Sequence, residues 1–380
     1  MKISLIQRAL LAGLLLAGVA GCAVDTHRPP PRFADLGFAD RYTTDTEAPA
    51  MAATEPPGAA RHRPAKWWEA FDDPVLDALV EHGNSNKLDV QAAALASDRR
   101  GATAGHGAAA TGGSAVLEAV AARVQAGVAS RYIALRGRQV AIADARDFLV
   151  QRQALIQLAQ FRAQAGLVPA LDAARAVAGR DEMAARIADL EAQAMQNVGQ
   201  IAMLTGQAPE ALADLLAGSG HIPTGPADVA LGRRSDLLLR RADLRTSAAR
   251  LAKSGAGDRR GAMIDYKRSV LEAVQEVETQ NTAFQHAKSR EIEHGRAVAT
   301  AEAAALLARQ AYADGQADYT TLDQVETRLF SSRTAWRAAQ VERAVALIGL
   351  YVALGGDANQ ETGSGGLPSP SPKPPGTEGD

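Results

Sequence analysis

Phe161-Arg-Ala-Gln-Ala-Gly-Leu-Val-Pro-Ala-Leu-Asp172 is the stretch on which the rest of this chain folds back. A long segment with helical periodicity and no proline runs up to it, and a second begins after Pro169. Gly166 supplies the turn, and Pro169 cannot continue the first helix, so the pair reads as a hinge. The same arrangement returns at Tyr312-Ala-Asp-Gly-Gln-Ala-Asp-Tyr-Thr-Thr-Leu-Asp323, where an aromatic, a glycine and Leu-Asp again stand between two helical runs. One helical hairpin has been duplicated within the chain.

The periodicity around each hinge is that of coiled-coil seams. Met183, Ile187, Leu190, Ala194, Val198, Ile201 and Leu204 follow one another at three- and four-residue gaps, which places them on one helix face. Before the hinge, Val116, Val120 and Val124, then Leu149, Leu155, Ile156 and Leu158, supply apolar positions. In the second repeat Val270, Val274, Val277 and Phe284 precede Gly315, and Leu322, Val325, Leu329, Ser332 and Trp336 follow it. Val341, Val345, Ile348 and Val352 extend that stripe. Helices of about 40 to 50 residues would be about 60 to 75 Å long at 1.5 Å per residue, which implies an elongated object. The expected fold is mainly α: two repeated, long antiparallel coiled-coil hairpins.

Composition agrees. Aromatics are 4% of the 380 residues and alanine carries much of the apolar fraction, which suits thin helix-on-helix seams. The formal net charge of -2 gives no global field toward nucleic acid. The seven histidines are scattered; His286 and His294 have no neighbours at metal-ligand spacing beyond what a solvated helix offers. Neither a phosphate-cradling loop nor a nucleophile elbow is found. No enzymatic activity, cofactor or metal is expected.

The single cysteine, Cys22, closes a segment with a basic start (Lys2, Arg8) and an apolar run from Ala9 to Ala20, the pattern of a secretory signal over 1–21. Val19-Ala20-Gly21-Cys22 resembles a bacterial lipobox. That resemblance implies a lipidated, palmitate-bearing Cys22, and Ala23 after it implies sorting to the outer membrane. Residues 22–66, rich in Pro, Ala and Thr, read as an extended tether.

The body opens with Trp67-Trp68-Glu69-Ala70-Phe71-Asp72-Asp73-Pro74-Val75-Leu76-Asp77-Ala78-Leu79. Asp73 is placed to cap a helix whose first residue is Pro74; the Trp pair can dock a partner or pack on the chain's own bundle, and Leu76, Leu79 and Val80 favour packing. This opening resembles that of TolC-like outer-membrane efflux lipoproteins of the NodT type. Ser130-Arg131-Tyr132-Ile133-Ala134-Leu135-Arg136, Ser235-Asp236-Leu237-Leu238-Leu239-Arg240-Arg241-Ala242-Asp243-Leu244-Arg245 and Glu272-Ala273-Val274-Gln275-Glu276-Val277-Glu278 are similar to further motifs of that family. Ala242 stands where the family has proline, so the helix is expected to run more continuously there.

The resemblance implies a homotrimer whose hairpins form an α-barrel duct in the periplasm, part of a tripartite system with a periplasmic adaptor and an inner-membrane pump. It assigns the tips to adaptor docking, through Gly166, Leu167, Val168, Gly315, Gln316 and Ala317. Asp318, Tyr319 and Asp323 become candidates for a gate or latch. Each also has a plainer reading, since glycines make turns and aspartates cap helices. Where the family carries membrane strands, however, this chain has 101–114 and 254–265, small-residue segments without the 9 to 11 residues of alternation that a membrane strand needs. The organisation expected is thus first helices over 67–100, a linker over 101–114, a hairpin over 115–205, a connection over 206–253, a linker over 254–265, a second hairpin over 266–355 and a disordered tail over 356–380. The alternative function is a shortened, non-conducting coiled-coil lipoprotein that binds adaptors or co-assembles with full-length relatives.

Overall fold

The computed structural model describes residues 31–42, 66–85, 92, 95, 109–218 and 220–356. The signal segment, Cys22, most of the tether, the first part of the 101–114 linker and the tail from 357 on lie outside the described residues. Among those described there are helices and turns but no strand. The α-helices are α1 (Pro74–Ser85), α2 (Ala109–Gln164), α3 (Ala170–Thr205), α4 (Ala213–Leu216), α5 (Leu237–Arg240), α6 (Ala242–Lys253), α7 (Arg259–Ala313) and α8 (Tyr319–Ala353).

The duplication is visible in the lengths. α1, α2 and α3 have 12, 56 and 36 residues; α6, α7 and α8 have 12, 55 and 35. At 1.5 Å per residue α2 spans about 84 Å. α2 pairs with α3 and α7 with α8, and α2 packs on α8, so the helix order across the body is α3, α2, α8, α7. The two repeats meet closely at Gly137, where a Cβ would collide with Val341.

Burial follows the expected seams, with Met183, Leu190 and Ile201 buried on α3, and Leu322 and Leu329 on α8. Val345 is an exception at 37% exposed. α8 is sandwiched between α2 and α7, so its upper half buries Ala344, Leu347, Ile348 and Tyr351 instead of a single stripe. The outer edges leave large apolar side chains in solvent: Leu171, Met195 and Met203 on α3, and Ile264, Leu271, Ile292, Leu306 and Leu307 on α7.

At the end remote from the hinges the Trp pair is part of the chain's own core. Trp67 and Trp68 are each 1% exposed, and Trp67 stacks on Tyr351 of α8 with ring centroids 5.9 Å apart. Asp73 caps α1 as its position predicts, accepting from the backbone N–H of Val75 and Leu76 at 2.9 and 3.0 Å.

Three local differences from the sequence expectations have physical causes. The first hairpin helix starts at Ala109 rather than 115, because alanine-rich sequence tolerates extension through Gly112 and Gly113. The 254–265 linker is largely helix, and only Ser254–Asp258 forms the turn between α6 and α7. The helix expected to continue through Ala242 breaks at Arg241 (φ -84°, ψ 124°) without a proline. Tertiary contacts hold that break: Arg241 forms a two-pronged pair with Asp243, reaches Glu276 of α7 at 2.7 Å and donates to the Ala353 carbonyl at 3.0 Å.

Candidate functional site

Both hinges are closed by the same backbone device. At the first, Gly166 has φ +72°, its N–H donates to the Ala163 carbonyl at 3.0 Å, and the Leu167 N–H reaches back to the Arg162 carbonyl at 2.9 Å. At the second, Gly315 has φ +74° and the Gln316 and Ala317 N–H groups both donate to the Ala311 carbonyl, at 2.8 and 3.1 Å. These six-to-one closures of a helix end need a residue at positive φ, which glycine adopts without a Cβ penalty. Pro169 precedes α3 in an extended conformation. Asp318 caps α8, accepting from the Thr321 N–H at 2.8 Å; its hydrogen bonds to Thr321 hold the carboxyl below its usual pKa.

The two tips lie side by side. The Arg162 guanidinium sits 4.7 Å from the centre of the Tyr312 ring and donates to the Tyr312 carbonyl at 3.3 Å. Tyr312 meets Tyr319 edge-on at 6.3 Å, and Ile156, Ala159, Ala176 and Leu322 are buried beneath them. Arg175 of α3 donates to the Thr320 hydroxyl at 3.2 Å. What this clamp presents to solvent is Gly166, Leu167, Gly315 and Gln316, with Val168 and Ala317 half-buried. Leu167 is 73% exposed, a large apolar side chain at the apex.

Below the apex, Arg152 of α2 ties the hairpins together. It is 6% exposed, forms an ion pair with Asp323 and points a nitrogen at the Tyr319 hydroxyl at 3.4 Å. Its guanidinium also lies 5.2 Å from the Phe148 ring centre, and Phe148 packs on Phe330 at 4.8 Å. Beside it Arg309 and the buried Glu326 make a two-pronged pair at 2.5 and 2.9 Å, whose hydrogen bonds raise the Arg309 pKa above its ordinary value. Gln151, Arg152, Leu155, Arg309 and Glu326 line a cavity of about 240 Å³ between the two hairpins.

The structure thus brings Tyr319 and Asp323 onto one partner and leaves Asp318 apart, as an exposed cap. Sequence reading missed Arg152, Arg162, Tyr312, Arg309 and Glu326. A signal existed for two of them. Arg152 falls four residues from both Phe148 and Ile156, and Glu326 four from both Leu322 and Phe330, so each is a charge set into a buried stripe. Buried charges require partners.

Solved structures share the fold of the helical body. The outer-membrane channel OprN superposes with a TM-score of 0.68 at 21% identity, covering 78% of this chain and 93% of that one. VceC of Vibrio cholerae gives 0.63 at 16% identity, covering 77% and 99%. The open state of the Neisseria gonorrhoeae channel MtrE gives 0.64 at 17% identity, covering 87% and 97%. No protein-family model and no curated sequence matches the chain. Its helical body therefore has the fold of the TolC-like outer-membrane efflux channels, built here from two repeats whose tips are clamped together.

Proposed function

We propose that the chain is a NodT-type, lipid-anchored duct component of a tripartite efflux system: a conduit for small molecules, held at the outer membrane through Cys22, with its body in the periplasm. The observation that carries this reading is the pair of identically closed tips held level at one end, with Leu167 at the apex. A rigid, solvent-facing pair of turns suits docking of an adaptor's helical hairpins. Leu167 is the clean probe, because a side chain at Gly166 or Gly315 would strain a left-handed turn. Leu167→Asp should weaken adaptor binding in pull-down by about tenfold or more, as removal of an apolar anchor does, with helix content unchanged. Unchanged affinity removes the docking assignment.

The assembly is a homotrimer in this reading. The apolar residues on the two edges, α3 and α7, cannot face each other within one protomer, whereas an α3 edge meeting the α7 edge of the next copy repeats until a ring closes. Sedimentation should give three protomer masses, and Met195→Glu with Leu307→Glu should convert the trimer to monomers. A parent chain that sediments as a monomer overturns the ring. Within it, Arg152 with Tyr319 and Asp323 would be the latch that holds each hairpin pair closed at the tip.

A specific observation also favours a second reading, the non-conducting body. The α6–α7 connection is the five-residue turn Ser254–Asp258, too short for even one membrane strand of about 9 to 11 residues. Among the described residues no helix is long and apolar enough to cross a membrane. Planar-bilayer conductance of lipidated protein separates the two: discrete steps support the duct, and silence beside an active full-length relative supports a body that binds adaptors without conducting.

A further inference from the structure

The end of the body opposite the tips is strongly cationic. From Arg250 to Arg268 there are six Lys or Arg side chains and two carboxylates, Asp258 and Asp265, although the whole chain carries a net -2. Arg250, Lys253, Arg260, Lys267 and Arg268 are exposed. Lys267 lies 5.2 Å from the Phe38 ring centre, and Arg268 is 3.7 Å from Asp265. Arg250, Arg259 and Arg260 have no ion-pair partner among the described residues.

Topology gathers Arg250, Lys253, Arg259 and Arg260 at one end, with Lys267 and Arg268 about 12 to 14 Å along α7 from Arg259. Arg245 of α6 pairs with Glu118 of α2. Above that pair α6 rises eight residues to Lys253 and α2 nine residues to Ala109, about 12 to 14 Å at 1.5 Å per residue. The turn and the start of α2 thus form one end face. Arg259 and Arg260 open α7, where the helix dipole disfavours cations, and the only acid at that helix start is the N-cap Asp258, whose side chain makes no capping bond. Local helix stability does not explain their placement. Ile264, one turn on from Arg260, is 52% exposed.

We infer that this face docks on an anionic lipid surface. Charge complementarity points to lipid phosphates, and the N-terminal segment identifies the surface as the membrane. Phe38 packs under Lys267, so the chain leading from Cys22 meets the body about 12 Å along α7 from this face. Cys22 lies 16 residues before Phe38, a reach well beyond the roughly 12 Å from Lys267 to Arg259. The inference rests on the membrane-anchored reading above. It adds that the body stands upright on the bilayer by its own charges, its tips farthest away.

The test uses the full mature chain with Cys22→Ser, so that acyl insertion does not mask the protein surface. It should co-sediment with phosphatidylcholine vesicles containing about one third phosphatidylglycerol, bind pure phosphatidylcholine far less, and detach when salt is raised to about 0.5 M. The triple change Arg250→Glu, Arg259→Glu, Arg260→Glu should weaken binding by about a hundredfold, since each cation near such a surface contributes about 1 kcal/mol. Single changes Arg250→Gln and Arg260→Gln, each expected to weaken it about fivefold by the same measure, serve where the triple variant does not fold. Equal binding to both vesicle types, or charge variants that bind like the parent, overturns the inference. Adaptor binding retained in that case leaves the duct reading standing; adaptor binding lost with vesicle binding intact does the reverse.

Discussion

Arg136→Met should lower the unfolding free energy by about 3 to 5 kcal/mol, since three acceptors lose one charged donor, each such bond contributing about 1.5 to 3 kcal/mol where buried. Arg136 is 5% exposed and donates through Nε to the Tyr132 hydroxyl at 2.9 Å; Tyr132 in turn donates to the Asp73 carboxylate, with oxygen distances of 2.9 and 3.0 Å. Burial pushes the Tyr132 phenol far above its ordinary pKa, so it stays a donor over the working pH range. Arg136 also reaches the Gly218 carbonyl and Gln139, and Gln139 holds the Leu216 carbonyl at 2.8 Å. One guanidinium therefore joins the cap of α1, the middle of α2 and the segment after α4. Methionine fills the volume but leaves the Tyr132 hydroxyl, Gln139 and the Gly218 carbonyl without their charged donor, and leaves the buried Asp73 carboxylate, still bonded to Val75, Leu76 and Tyr132, without the cation beyond Tyr132. Adding Asp73→Asn should recover about 1 to 2 kcal/mol, because asparagine still caps and carries no charge. Urea unfolding measures both; a loss below about 1 kcal/mol for the single variant would show that the network is not holding these elements.

Trp67→Ala is the second large effect, about 3 to 5 kcal/mol for a buried tryptophan truncated to a methyl. The ring is stacked on Tyr351 and meets Trp68 and Phe71 edge-on at 5.7 and 6.3 Å. Those contacts join the start of the body to the C-terminal turns of α8 across the whole chain. Beyond the drop in urea midpoint, amide exchange should quicken in Leu347–Ala353 while the tip near Tyr319 keeps its protection. Equal quickening at both ends would mean that the body opens as one unit, and that Trp67 does not pin this end in particular.

These two sites differ in how readable they were. The packing of the Trp pair follows from its neighbours Leu76, Leu79 and Val80, a local apolar pattern that needs somewhere to go. The charge network does not follow from any local pattern, because Tyr132 finds Asp73 at a separation of 59 residues and Arg136 finds Gly218 at 82. The tips divide the same way. Gly166, Gly315 and the cap at Asp318 are written in four- to six-residue stretches, and the structure builds each as a turn or a cap. The Arg152 tie to Asp323 spans the two repeats.

By itself the sequence determined the long helices, the two hinges and the duplication, since each depends on backbone preference or periodicity over a few turns. Only the tertiary structure decided that α2 and α8 form the seam, that Arg241 breaks a helix without proline, that Val345 faces solvent, and that Arg152 of one repeat pairs with Asp323 of the other. The reason is geometric. A residue's helical state is set within one or two turns, but which charge meets which depends on the rotation and rise of two helices packed over tens of ångströms, and those are set by the sum of all their contacts.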